Sequence, residues 1–156
     1  MTDHRKLAVE LFNHTWELLD NNQRTPDQNE EMIHAAYASR YHWGIAGTVK
    51  NHARGEWQIA RVYAASGRFA ESEHYADLYL RACKDNEFDD WDLPFAHEGL
   101  ARAFAKTKKD ASLLHLIEAR LVAPNGGANI HRYIGARRVD VIVAIKVVVL
   151  FHYFVK

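Results

Sequence analysis

The sequence predicts an all-α fold of about six antiparallel helices stacked as helical hairpins, and three observations carry that expectation. Through residue 120 the apolar side chains recur at three-to-four spacing, which gathers them on one stripe of a helix. Short polar or glycine-bearing turns separate the periodic segments, as in helices folded back on one another. One segment then returns about 41 residues later with the same order of large and small side chains. At 156 residues the chain has room for one domain with a real core and too little for two of ordinary size.

The first helix is expected from Asp3 to Leu19, with Leu7, Leu11, Trp16, Leu18 and Leu19 on its apolar side. The polar run from Asp20 to Arg24 ends it. Thr25-Pro26 then sets an N-cap hydroxyl before a proline at the first helical position, the clearest boundary in the chain. Helix two should run from Pro26 to Gly44 or Gly47, with Ile33, Ala36, Tyr37 and Tyr41 turned inward. Helix three, from about Asn51 to Ser66, stops at Gly67, a residue suited to a left-handed C-terminal cap. Helix four follows from about Phe69 to Lys84 and ends in the acidic stretch beginning at Asp85. Helix five, about Asp92 to Lys108, and helix six, about Asp110 to Val122, make the next hairpin.

The repeat lays Ile59-Ala60-Arg61-Val62-Tyr63-Ala64 on Leu100-Ala101-Arg102-Ala103-Phe104-Ala105. Trp57, Ala60, Tyr63, Gly67 and Phe69 follow a pattern of large, small and aromatic residues with a glycine near the turn, which lets two helices approach closely. On these residues the chain from Glu56 to Ala119 resembles tetratricopeptide-repeat (TPR-like) proteins, although Lys108 stands where a second glycine would be. The resemblance implies an α-α superhelix and, in function, a module that binds a protein or peptide. The stretch from Ala35 to Trp57, with Ser39-Arg40-Tyr41-His42-Trp43, is also similar to small uncharacterised bacterial helical proteins, a likeness that brings no activity with it.

Twenty basic and twenty acidic side chains cancel, so the electrostatic footprint of a nucleic-acid binder is missing and no nucleic-acid partner is expected. Cys83, the one cysteine, has no internal disulfide partner, and no signal-peptide pattern opens the chain; the cytoplasm is the expected address. Composition divides the chain into a helical hairpin domain, 1–120, and an atypical apolar tail, 121–156. The tail holds one acid, Asp140, against five Arg or Lys, and its valines crowd from Val139 to Val155. A membrane anchor is disfavoured, because Asp140 and Lys146 would each cost about 2.5 to 3.5 kcal/mol near a bilayer centre. The β-branched content suits an extended segment hidden in a capping element or a homodimer contact.

Ten histidines raise the question of metals. Glu31-x-x-His34 and Glu71-x-x-His74 have the spacing of di-iron carboxylate sites, with Glu17 and Glu56 as candidate partners. Helical register leaves Glu56 about two turns from Glu71, and Glu31 and Glu71 lie in first turns where the helix dipole favours a carboxylate in any case. No metal or cofactor is therefore expected. His14, Glu17, His34, Arg40 and His42 make an alternative polar site, suited to a small His/Glu metal-binding protein or enzyme. No nucleophile stands beside them, and no catalytic residue is assigned. The preferred site is a stripe on helix three, Arg54, Trp57, Gln58 and Arg61, joined by Glu98, Arg102 and Lys106 of helix five. Such a groove would clamp an acidic peptide or a carboxylate terminus, with Trp57 as apolar anchor. The competing expectation puts Trp57 in the core and the charges in solvent.

Overall fold

The computed structural model describes residues 2–88, 91–105 and 108–122. Its helices are α1 (His4–Asp20), α2 (Pro26–Ala46), α3 (Val49–Ala65), α4 (Phe69–Asp85), α5 (Asp92–Phe104) and α6 (Lys109–Val122). Each helix packs against the next, and the described residues contain no strand. α3 also touches both α1 and α5, so the odd-numbered helices form one layer backed by the even-numbered ones. The expected tail lies outside the described residues from 123 onward, and the expected 120/121 boundary falls inside α6. No helix of the described residues is long and apolar enough to cross a membrane.

Local chemistry explains the helix ends. Thr25 with Gln28 and Thr48 with Asn51 form reciprocal capping boxes at the starts of α2 and α3. At the end of α3, Arg68 N–H donates to the Tyr63 carbonyl at 2.9 Å and Gly67 N–H to the Ala64 carbonyl at 3.2 Å. This paired closure needs a left-handed residue, and Gly67 has φ of +74°. A Cβ there would meet nothing within 4 Å, so its cost is backbone strain alone. Gly67→Val is expected to lower stability by about 1 to 2 kcal/mol, read as a lower urea midpoint at unchanged slope. An unchanged midpoint would remove the cap from the account.

Small residues and serines let the hairpins close. Ser39 Oγ donates to the Ala8 carbonyl at 2.8 Å, Ser72 Oγ to Ala60 at 2.9 Å and Ser112 Oγ to Ala101 at 2.7 Å. In all three hairpins a serine of the second helix thus bonds the backbone beside a buried alanine of the first. The internal repeat follows from this contact: Ile59 and Leu100, Ala60 and Ala101, Val62 and Ala103, and Tyr63 and Phe104 are each buried. Gly55 performs the same service between α2 and α3, where a Cβ would lie 2.8 Å from Arg40 Cγ.

One core cluster gathers Trp57, Tyr79, Phe95 and Leu100 between α3, α4 and α5. A second gathers Met32, Ile33, Ile59 and Val62 between α2 and α3, with Leu18 of α1. The inward stripe expected for α2 needs correction: Met32, Ile33, Ala35, Ala36 and Ser39 are buried, whereas Tyr41 is 63% exposed. Tyr41 comes nine residues after Met32, about half a turn out of phase with the buried arc. Tyr37 lies at the margin, its hydroxyl bonded to those of Tyr63 at 2.9 Å and Tyr75 at 2.7 Å.

Candidate functional site

A cavity of about 710 Å³ opens in the odd-numbered layer. Phe12 and Trp16 of α1, Trp43 from the end of α2, Trp57 of α3 and Trp91 and Phe95 at the start of α5 line it. All four tryptophans of the chain therefore face one space. Arg54, Arg61, Asn51 and Asp20 supply its polar wall.

Helical spacing puts Arg54, Trp57 and Arg61 on one stripe, as expected, and all three line the cavity. Trp57 is only 8% exposed and packs against Trp16 and Phe95, both at 5.4 Å between centroids, and Trp91 at 6.0 Å. It is core and wall at once. Gln58 departs from the expected stripe: it is fully buried, and its Nε2 donates to the Phe12 carbonyl at 2.9 Å, fastening α3 to α1. The expected Glu98 is likewise an inner counter-ion and not a groove acid, since it is buried beneath Arg102, which donates to it, with Arg61 Nη1 at 3.9 Å. Lys106 lies outside the described residues.

Arg54 is held by a fork. Its Nε and Nη2 donate to the two oxygens of Asp92 at 2.8 and 2.9 Å, and its guanidinium lies 4.2 Å over the Trp91 ring. Asp92 is fully buried, accepts from Tyr79 Oη at 2.7 Å and has Lys50 Nζ at 3.7 Å. Burial alone would push this carboxyl up, but the hydrogen bonds from Arg54 and Tyr79, with the charges of Arg54 and Lys50, together outweigh it and hold it below the usual range. Nearby, burial and then the Asp92 charge push the Cys83 thiol up to about 12, so it stays protonated and is no nucleophile near neutrality.

Arg61 sits differently. Burial first, and then the Arg102 charge, lower its pKa against the pull of Glu98 and Asp20, though a guanidinium remains charged regardless. Arg61 and Arg102 thus share one buried carboxylate, and an added anion beside them relieves their mutual repulsion.

The alternative polar residues divide into separate contacts. His14 Nε2 meets Glu31 Oε1 at 2.7 Å and its Nδ1 lies 3.5 Å from Glu17 Oε2; the Glu31 hydrogen bond raises the imidazole pKa against a smaller effect of burial. His34 is exposed, His42 Nδ1 faces His4 Nδ1 at 2.8 Å, and Arg40 Nε donates to Glu56 at 2.7 Å. Residues 34 and 42 stand about 12 Å apart along α2, and residue 40 projects from another side, which keeps them from one focus. The di-iron set is dispersed for the same reason, with Glu71 on Arg68, Glu56 on Arg40 and Glu31 on His14.

No family model, curated protein or solved structure matches the chain. Sequence reasoning missed most of the cavity's walls, Trp16, Trp43 and Trp91 among them, because they come from three separate parts of the chain with no common spacing. It also missed His97, His115 and Glu118, the one group of three or more metal-capable side chains that converges among the described residues. Burial holds the His97 imidazole neutral to lower pH than usual, against the pull of Glu118. The pair His115-x-x-Glu118 has the same spacing as His14-x-x-Glu17 and was open to the same reading, but only packing brings His97 to it.

Proposed function

We propose that the chain is a helical-repeat module that binds an acidic peptide segment of a partner protein. An apolar side chain of the peptide enters the tryptophan-lined cavity, and a carboxylate, terminal or side-chain, meets Arg61 and Arg102. The observation that carries this reading is the convergence of all four indoles on one space edged by Arg61. The volume lies within the range of about 300 to 1,000 Å³ usual for ligand pockets. Filling it removes apolar ring surface from water at about 25 cal/mol per Å². A cationic guest is disfavoured, because guanidinium groups already occupy the aromatic faces, Arg54 over Trp91 and Arg61 at 5.6 Å over Trp16. The cavity-lining residues include no histidine, cysteine or serine, which favours binding over catalysis there.

The test uses the tryptophans as reporters. A library of hexapeptides ending in Leu or Phe, each made as free acid and as amide, is titrated against the full chain by fluorescence. The free acids should bind about tenfold more tightly than their amides, the difference expected of one charge-assisted contact. In Arg61→Gln, which leaves Arg102 paired with the buried Glu98, that difference and its salt dependence should shrink with the helical spectrum intact. Equal affinities of acid and amide would overturn a terminal carboxylate contact, and no fluorescence response to any peptide would overturn the site.

A further inference from the structure

We infer that His97, His115 and Glu118 form the protein side of a mononuclear site for a divalent transition-metal ion of the zinc class. His97 Nδ1 lies 3.0 Å from His115 Nδ1 and 2.9 Å from Glu118 Oε2, and His115 Nδ1 lies 3.3 Å from the same oxygen. These three atoms make a nearly equilateral triangle. An ion with bonds of about 2.0 to 2.1 Å sets its ligand atoms about 2.9 Å apart in octahedral geometry and about 3.4 Å apart in tetrahedral geometry. The observed edges fall between these values. Two imidazoles and one carboxylate are also a donor set that suits zinc and its first-row neighbours.

Hydrogen bonding alone does not satisfy this triangle. The carboxylate oxygen only accepts, so satisfying its two edges requires a proton on each Nδ1. The third edge then sets two N–H groups against each other at 3.0 Å. Moving either proton away leaves that nitrogen's lone pair facing the carboxylate instead. A cation at the centre resolves every edge, because all three lone pairs then point at positive charge.

The scaffold holds the triangle in place. His115 and Glu118 are three residues apart on α6 and share a face, and His97 is buried on the adjoining α5. His97 comes two residues after Phe95, about 200° further round α5, so the site stands on the opposite side of that helix from the tryptophan cavity. The Phe104 ring packs 5.6 Å from the His115 ring and limits its rotation. Three protein ligands leave coordination positions for water or a small anion. A second cavity, about 420 Å³, gives them room on the His115 side, with His74, Glu73 and Asp77 in its wall. The metal site shares no residue with the tryptophan cavity.

The experiment is zinc titration of the chelator-stripped full chain by calorimetry, with Co²⁺ absorption as a second readout. One Zn²⁺ should bind per chain with micromolar or tighter affinity, and Co²⁺ should show the intense visible bands of four- or five-coordination. His115→Ala and Glu118→Gln alter partly exposed positions and should weaken Zn²⁺ binding about tenfold to a hundredfold while the helical spectrum persists. His14→Ala, at the other histidine–carboxylate contact, should leave the affinity unchanged. Zinc affinity unaltered in both His115→Ala and Glu118→Gln, loss of the site in His14→Ala instead, or no binding at 100-micromolar zinc, about a hundred times the expected dissociation constant, would each overturn the proposal.

Discussion

Asp92→Ala is expected to lower the unfolding free energy by about 3 to 5 kcal/mol, a large share of the stability of a domain this size. The carboxylate has no exposed surface and accepts from Arg54 twice and from Tyr79 once, with Lys50 behind. Removing it leaves partners with different prospects. The Arg54 side chain is 30% exposed and can rehydrate, whereas Tyr79 is fully buried and its hydroxyl would lose its hydrogen bond without water to replace it. The direction of the pKa shift sets the pH dependence. Because the folded-state pKa lies below the unfolded value, Asp92 contributes its full stability above the usual carboxylate range and loses it as pH falls through the folded pKa. Urea denaturation of the wild type and Asp92→Ala should therefore show a wide gap at pH 7 that narrows in acid. A loss below about 1 kcal/mol at neutral pH would mean the ion pair is not a principal tie between α3 and α5.

Trp57→Ala should cost about 3 to 5 kcal/mol, the range for truncating a large aromatic in a core. Its ring has Trp16, Trp91, Phe95 and Tyr79 around it, drawn from α1, α4, α5 and the residue before α5. Truncation therefore loosens several interfaces together. Trp57→Phe keeps a ring there and should cost about 1 to 2 kcal/mol. Thermal or urea unfolding followed by circular dichroism separates the two variants, and equal stabilities would show that the indole does not bridge these helices. Lost peptide binding in Trp57→Ala is then a folding effect. Trp43, partly exposed at the end of α2, is the cleaner position at which to test occupancy of the cavity.

The helices were legible because their signals are short-ranged. Thr25-Pro26 starts α2 and Gly67 ends α3 through hydrogen bonds that reach no more than five residues along the chain. The end of α5 was less legible: Lys108 was expected inside the helix, yet Phe104 is its last residue, and no glycine or proline follows to mark a stop. Arg54, Trp57 and Arg61 were found as one stripe because three- and four-residue spacing is a property of a single helix. The same spacing misled at Gln58, since a helix layered between α1 and α5 buries more of its circumference than one stripe.

By itself, then, the sequence determined six helices and the caps at Thr25 and Gly67, because each depends on contacts within a turn or two of chain. Which side chains meet across helices was decided by the tertiary structure. Gly55, the alanines at 8, 60 and 101 and the serines that reach their carbonyls set how closely the helices approach. That approach brings Asp92 under Arg54, Glu98 between Arg61 and Arg102, and His97 to His115. A rotation of one helix by a single residue, about 100°, would part each of these pairs while leaving every helical signal in the sequence unchanged.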